Sequence, residues 1–195
     1  NKYEIIARTG SDFEVDCVRQ YQSMLYVSNT PFYNWLKPLL IELASIPIQN
    51  AKELLSLLKN IDNDLRSLPV SVEEMSYDKS PDRYWFWRLD FHIWEHRKEL
   101  LQRKTSAEGT PEELDIALRI AEQYVFRRNR SIEHVAPQHP QTNSSMSWEE
   151  TEKDAQLRDS FGNLVMISQG LNSSLKNESY EVKKAHVQAY CNSSK

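Results

Sequence analysis

The chain has 195 residues, 39% of them hydrophobic, and a formal net charge of −4. That length suits one well-buried core or two small units sharing an interface, and no apolar run approaches the roughly 20 residues of a membrane-spanning helix. The acidic balance argues against a protein that grips nucleic acid by charge alone, although residues 127–195 hold nine Lys and Arg against eight Asp and Glu, which leaves the deficit to the first 126 residues.

No N-terminal succession of positive, apolar and small residues marks a secretory signal, and Cys17 and Cys191 lie far apart without metal-type spacing, so a reducing cytoplasm is the expected home. The sequence opens at Asn1 and runs directly into Lys2-Tyr3-Glu4-Ile5-Ile6, which reads as a piece of a longer polypeptide.

The first two-thirds read as helices. Leu36, Leu39, Leu40 and Leu43 recur at helical spacing, as do Leu54, Leu55, Leu58, Ile61, Leu65 and Leu68, and Pro47 and Pro69 separate the runs. Ser80-Pro81-Asp82 supplies a cap, a first-turn proline and an acid for a helix from Tyr84 to about Lys104. Its Tyr84, Trp85, Phe86, Trp87, Phe91 and Trp94 are too many aromatics for one stripe, which predicts a central helix contacted from several sides. Thr110-Pro111-Glu112-Glu113 has the form of a capping box for a helix ending near Arg128. Beyond it the period changes. Residues 131–135 read as a short strand stopped at Ala136-Pro137, followed by a polar loop from Gln138 to Met146. Ser147 caps a helix reaching about Asp159, residues 162–168 form a second strand, Gly170 breaks it, and Asn172 to Tyr190 is helical with a joint near 177–179.

The chemistry concentrates after residue 129. Phosphodiester hydrolysis needs a base to activate water, a cation to neutralise developing charge, and groups that fix both. His134 can be the base, and Glu133 and two asparagines offer oxygen ligands of the kind Mg²⁺ prefers. On a strand, Glu133 and His134 point to opposite faces, so they can serve one cleft only where the strand ends and twists. Taken alone these residues have plainer readings: a polar pair on a strand, a Gly162-Asn163 turn, and Asn172 as a helix cap. The basic run Arg127-Arg128-Asn129-Arg130 reads equally as a helix end complementing the macrodipole or as phosphate contacts. His92 and His96, four apart, are read as packing residues, since no zinc-protease spacing accompanies them. His139 lies in the loop near the site, His186 reads as structural, and Trp148 as a core residue that seals the loop.

Arg130-Ser131-Ile132-Glu133-His134-Val135-Ala136-Pro137-Gln138, Gly162-Asn163-Leu164, Leu171-Asn172-Ser173 and Lys183-Lys184 together resemble the HNH nuclease domain at the C-terminal end of GmrSD-type restriction and phage-defence proteins. Asn163 and Asn172 stand nine residues apart, the order and spacing of the second and third HNH positions. The aromatic stretch Arg83 to Leu89 looks like the helix that precedes the signature in that family.

The resemblance implies a mainly α protein with a small α+β element. A helical support region, 1–129, would pack on a ββα-metal nuclease core, 130–195. His134 would be the general base, and Glu133 and Asn172 would ligate a divalent cation, Mg²⁺ or Mn²⁺. Asn163 would hold the loop that bears His134, and Lys176, Arg130, Lys183 and Lys184 would contact phosphate. Asn in the third position, where the HNH name has His, points to Mg²⁺ over Zn²⁺. The implied activity is cutting of double-stranded DNA, and the implied partner is an NTPase-like domain preceding this one in the same protein. A non-catalytic helical module that docks that domain is the alternative. Oligomeric state and the choice between nicking and double-strand cutting are not written in the sequence.

Overall fold

The structure is a computed structural model describing residues 12–28, 33–66, 71–103, 118–140, 147–149 and 151–193. The chain divides into two compact units, Asn1–Leu68 and Pro69–Lys195. The residue 129/130 boundary suggested by the family resemblance falls inside the second unit.

The first unit is helical. Helix α1 (Phe13–Ser28) packs along α3 (Ala51–Leu65), and α2 (Leu36–Ser45) packs on α3 as well. The spacing of α3 puts Leu55, Leu58 and Ile61 in the core, and its start is fixed by the Asn50 cap, whose side chain accepts from the Glu53 backbone N–H at 2.9 Å, while Glu53 reaches back to accept from Gln49 N–H at 2.8 Å. Asp62, also buried, accepts from the Tyr21 hydroxyl at 2.7 Å and from Arg66 Nε at 3.2 Å, so its charge is compensated where water is excluded.

The second unit is organised by the aromatic helix. Short 3-10 turns at Val72–Met75 and Tyr77–Lys79 lead to α4 (Arg83–Glu95). The cap is Asp82, whose carboxylate accepts from Tyr84 N–H at 2.9 Å; Ser80 instead takes a left-handed conformation with φ 53°. The predicted single helix to Lys104 is interrupted at His96. There ψ rises to 14° and the backbone N–H is shared between the His92 and Trp94 carbonyls, and α5 (Arg97–Arg103) starts afresh. Tyr84, Phe86, Trp87, Phe91 and Trp94 are all buried. Their partners lie on several sides: Phe86 meets Phe161 at 4.8 Å between centroids, Trp87 meets Phe126 at 5.8 Å, and Trp94 meets Tyr124 at 5.4 Å. The capping box expected at Thr110 lies outside the described residues; residues 118–122 are helical, and the chain leaves the helix there, earlier than Arg128.

Strand β1 (Ser131–His134) pairs antiparallel with β2 (Leu164–Ile167), with Ser131 opposite Ile167 and His134 opposite Leu164. Between them, α6 (Glu152–Asp159) is capped by Thr151, which accepts from Asp154 N–H at 3.1 Å, and not by Ser147; a 3-10 turn at Phe161–Asn163 then enters β2. After β2, α7 (Gln169–Leu175) is capped by Ser168 and includes Gly170, so Asn172 is an interior residue of this helix. Helix α8 (Tyr180–Ser193) follows the break at 176–179. Helix α4 packs against β2, and α7 against β1. Two bonds from α4 hold the approach to β1: Arg83 Nε donates to the Arg130 carbonyl at 2.8 Å and Trp87 Nε1 to the Asn129 carbonyl at 3.0 Å.

The aromatic helix also carries a destabilising group. Burial pushes the Asp90 carboxyl up to about 6. Its folded value lies above that of the unfolded chain, so the penalty is absent below about pH 4 and is complete once pH has risen through the folded value. Asp90→Asn is therefore expected to stabilise the protein by roughly 2–3 kcal/mol at pH 8 and by about half as much at pH 5. Urea unfolding at the two pH values measures this, and an equal effect at both would refute it.

Candidate functional site

The pleat puts His134 on the face of the hairpin that also carries Ile132, Leu164 and Met166, and Glu133 on the other with Val165 and Ile167. His134 is buried, as are Leu164 and Met166. Its Nε2 lies 3.0 Å from Asp159 Oδ1, and the ring of Tyr77 meets it edge-on at 4.5 Å. Asp159 is itself held by Arg158, whose Nη2 donates at 2.6 Å. This guanidinium, first among the causes, holds the Asp159 carboxyl below the usual carboxylate range. An ionised carboxylate can only accept, so the hydrogen between the two belongs to His134 Nε2, and the imidazole lone pair is at Nδ1. Among the described residues Nδ1 makes no hydrogen bond. Burial lowers the His134 pKa, and Asp159 works against that shift through its hydrogen bond and its charge.

Asn163 closes the end of the hairpin. Its carbonyl accepts from Val135 N–H at 2.8 Å, its Oδ1 accepts from Ala136 N–H at 2.8 Å, and its Nδ2 donates to the Ala136 carbonyl at 3.1 Å and the Arg158 carbonyl at 2.7 Å. One side chain thus ties the segment following His134 to the end of α6, the helix that carries Asp159. Pro137, which is fully buried, accepts from Trp148 Nε1 at 2.8 Å, so the half-buried Trp148 seals the same loop.

Glu133 accepts from Lys183 Nζ at 2.5 Å through Oε1, and the same ammonium donates to the His134 carbonyl at 2.7 Å. Lys183, whose expected contact was phosphate, is 5% exposed and serves these two acceptors, because a carboxylate this deep in the hairpin needs a cation beside it. Glu133 Oε2 takes no hydrogen bond from the described residues. Asn172 is half-buried on α7, the helix that packs against β1. Arg130, Lys176 and Lys184 are exposed. His139 and His186 are exposed too and make none of the contacts that hold His134.

Asp159 and Tyr77 escaped the sequence reading. Asp159 did leave one trace: an acid as the last residue of a helix faces the negative end of the macrodipole, which is unfavourable unless a partner compensates.

Residues 70–194 match the C-terminal domain of the GmrSD restriction endonucleases. The chain belongs to this family. Membership makes this GmrSD C-terminal domain a restriction-endonuclease-type effector, with DNA as the substrate its family implies. No curated protein and no solved structure matches it. No helix among the described residues is long and apolar enough to cross a membrane.

Whether the residues present suit a divalent cation can be judged from the donors. Glu133 offers a half-buried carboxylate with one oxygen not hydrogen-bonded among the described residues, and Asn172 offers an amide oxygen on the helix packed against the same strand. An all-oxygen set with few protein ligands suits Mg²⁺.

Proposed function

We propose that this domain is an HNH-type, metal-dependent endonuclease that hydrolyses phosphodiesters in double-stranded DNA, the effector of a bacterial restriction or anti-phage system whose NTPase-like domain lies elsewhere in the same protein. The carrying observation is the joint placement of His134 and Asn163: the imidazole is oriented by Asp159 while the Asn163 amide pins the backbone directly after it.

In this reading His134 takes the proton of the attacking water at Nδ1. Asp159 keeps Nε2 protonated and stabilises the imidazolium that forms. A neutral imidazole at the outset is what a base requires, and burial favours it. Glu133 and Asn172 would hold Mg²⁺ or Mn²⁺, which when bound supplies charge neutralisation at the phosphate. Lys183 holds the Glu133 carboxylate through Oε1, and because Glu133 and His134 lie on opposite faces of the hairpin, the two would serve one site at the end of β1, which stops at His134. Arg130, Lys176 and Lys184 are exposed cations suited to phosphate, and the near-neutral balance of residues 127–195 fits a catalytic piece whose grip on DNA depends on other parts of its protein. With a metal held by Asn172, the hairpin and the helix packed on β1 would form the ββα arrangement.

Plasmid cleavage tests this directly. Supercoiled DNA should be nicked or linearised with Mg²⁺ or Mn²⁺ and stay intact with EDTA, and Asn172→Ala should need about tenfold or more metal for half-maximal rate. Absence of cleavage by the full-length protein under every metal condition would favour the non-catalytic docking module instead.

A further inference from the structure

We propose that His92, Glu95 and His96 form a second metal site, one for a first-row transition ion such as Zn²⁺, on residues that the hydrolytic reading does not use. The three are spaced i, i+3 and i+4, so they share one face at the end of α4. One nitrogen or carboxylate oxygen from each lies within 4.8 Å of the others. The two imidazole centroids are 4.5 Å apart. His96 Nε2 and Glu95 Oε2 are 3.3 Å apart, close to the ~3.4 Å edge of a tetrahedron built on Zn–N bonds of about 2.1 Å.

A separate observation concerns the other side of the His96 ring. Glu99 Oε2 lies 3.5 Å from His96 Nδ1. A carboxylate at that position is where an outer carboxylate would orient a metal-binding imidazole. The location favours a cation, since α4 ends at Glu95 and its terminal carbonyls bring partial negative charge to the spot. His92 is exposed, which gives an ion access, while Glu95 and His96 are half-buried. Imidazole and carboxylate donors rank Zn²⁺ and Cu²⁺ far above Mg²⁺, so the two sites differ in the class of ion they accept. A bound ion would brace α4 at the point where the helix breaks before α5.

The competing account is a protonated His96 bridging two carboxylates with no metal. Calorimetric titration of the EDTA-stripped full chain with Zn²⁺, in the presence of excess Mg²⁺, separates the two. One equivalent should bind, a hundredfold excess over the dissociation constant should raise the thermal midpoint by about 5 °C, and Co²⁺ should give the visible absorption of a low-symmetry nitrogen and oxygen site. His92→Ala, at an exposed position, should weaken Zn²⁺ binding at least tenfold, and Asn172→Ala should leave it unchanged. No binding by the wild type, equal binding by His92→Ala, or loss in Asn172→Ala alone would each overturn the proposal. None of these readouts depends on DNA cleavage, so failure of the nuclease reading and failure of this one are distinguishable.

Discussion

His134→Ala should lower the DNA cleavage rate by about 10³-fold, within the range that a positioned general base supplies. The imidazole is the one group on the buried face of the hairpin able to accept a proton near neutral pH, and nothing within its hydrogen-bonding set can replace it: Asp159 is held ionised by Arg158 and Gln138 is not basic. The pH profile gives the finer reading. In the proposed mechanism activity needs neutral His134, so it should fall as pH drops through the folded-state pKa, which burial lowers from the ordinary imidazole value. Asp159→Asn removes the influences that raise the pKa, so the acid limb should move further down while the plateau rate falls, because the amide no longer dictates which ring nitrogen carries hydrogen. A cation beside Glu133 acts in the same downward direction. A limb that moves up in Asp159→Asn, or cleavage that survives His134→Ala, contradicts the assignment.

Asn163→Ala should cost both stability and rate. The substitution removes three side-chain hydrogen bonds and leaves the N–H and carbonyl of Ala136 without their partner. At about 1 kcal/mol per bond, the expected loss is roughly 3 kcal/mol. Cleavage should fall by up to ~100-fold, the scale on which supporting contacts tune a site. Asn163→Asp tests the geometry: its Oδ1 can still accept from Ala136, but a carboxylate oxygen would then face the Ala136 and Arg158 carbonyls. It should be no better than alanine. Urea unfolding and plasmid cleavage on the same preparations check both effects, and an unfolding free energy equal to wild type in Asn163→Ala would remove the structural argument.

These expectations were readable from the sequence to different depths. Strand signals at 131–135 and 162–168 located β1 and β2 to within about two residues, because β-branched and apolar residues were bounded by Pro137 and Gly170. The helical spacing of Leu55, Leu58 and Ile61 gave the buried side of α3. Caps were harder. Asp82, Thr151 and Ser168 start their helices, where Ser80, Ser147 and Asn172 were equally plausible by residue type, and only the backbone angles decide among them. The break at His96 has no glycine or proline to announce it. Asp159 and Lys183 lie 25 and 49 or 50 residues from the groups they contact, beyond the reach of any local pattern. Lys183 shows why charge alone misleads: a lysine in a helix near the end of a chain reads as a solvated cation until its burial against the Glu133 carboxylate is seen.

The Asn163 side chain has a wider consequence. Its amide accepts from and donates to the backbone of one residue, Ala136, as a facing peptide group does in an antiparallel ladder. It therefore acts as a surrogate rung that carries the hairpin one step past its last true pair, just before Pro137, which has no N–H to continue it. The orientation of His134, the base we propose, is thereby set upstream of the polar stretch that begins at Gln138. Changes in the length or sequence of that stretch can alter how the domain meets DNA while the proton-accepting nitrogen stays where it is.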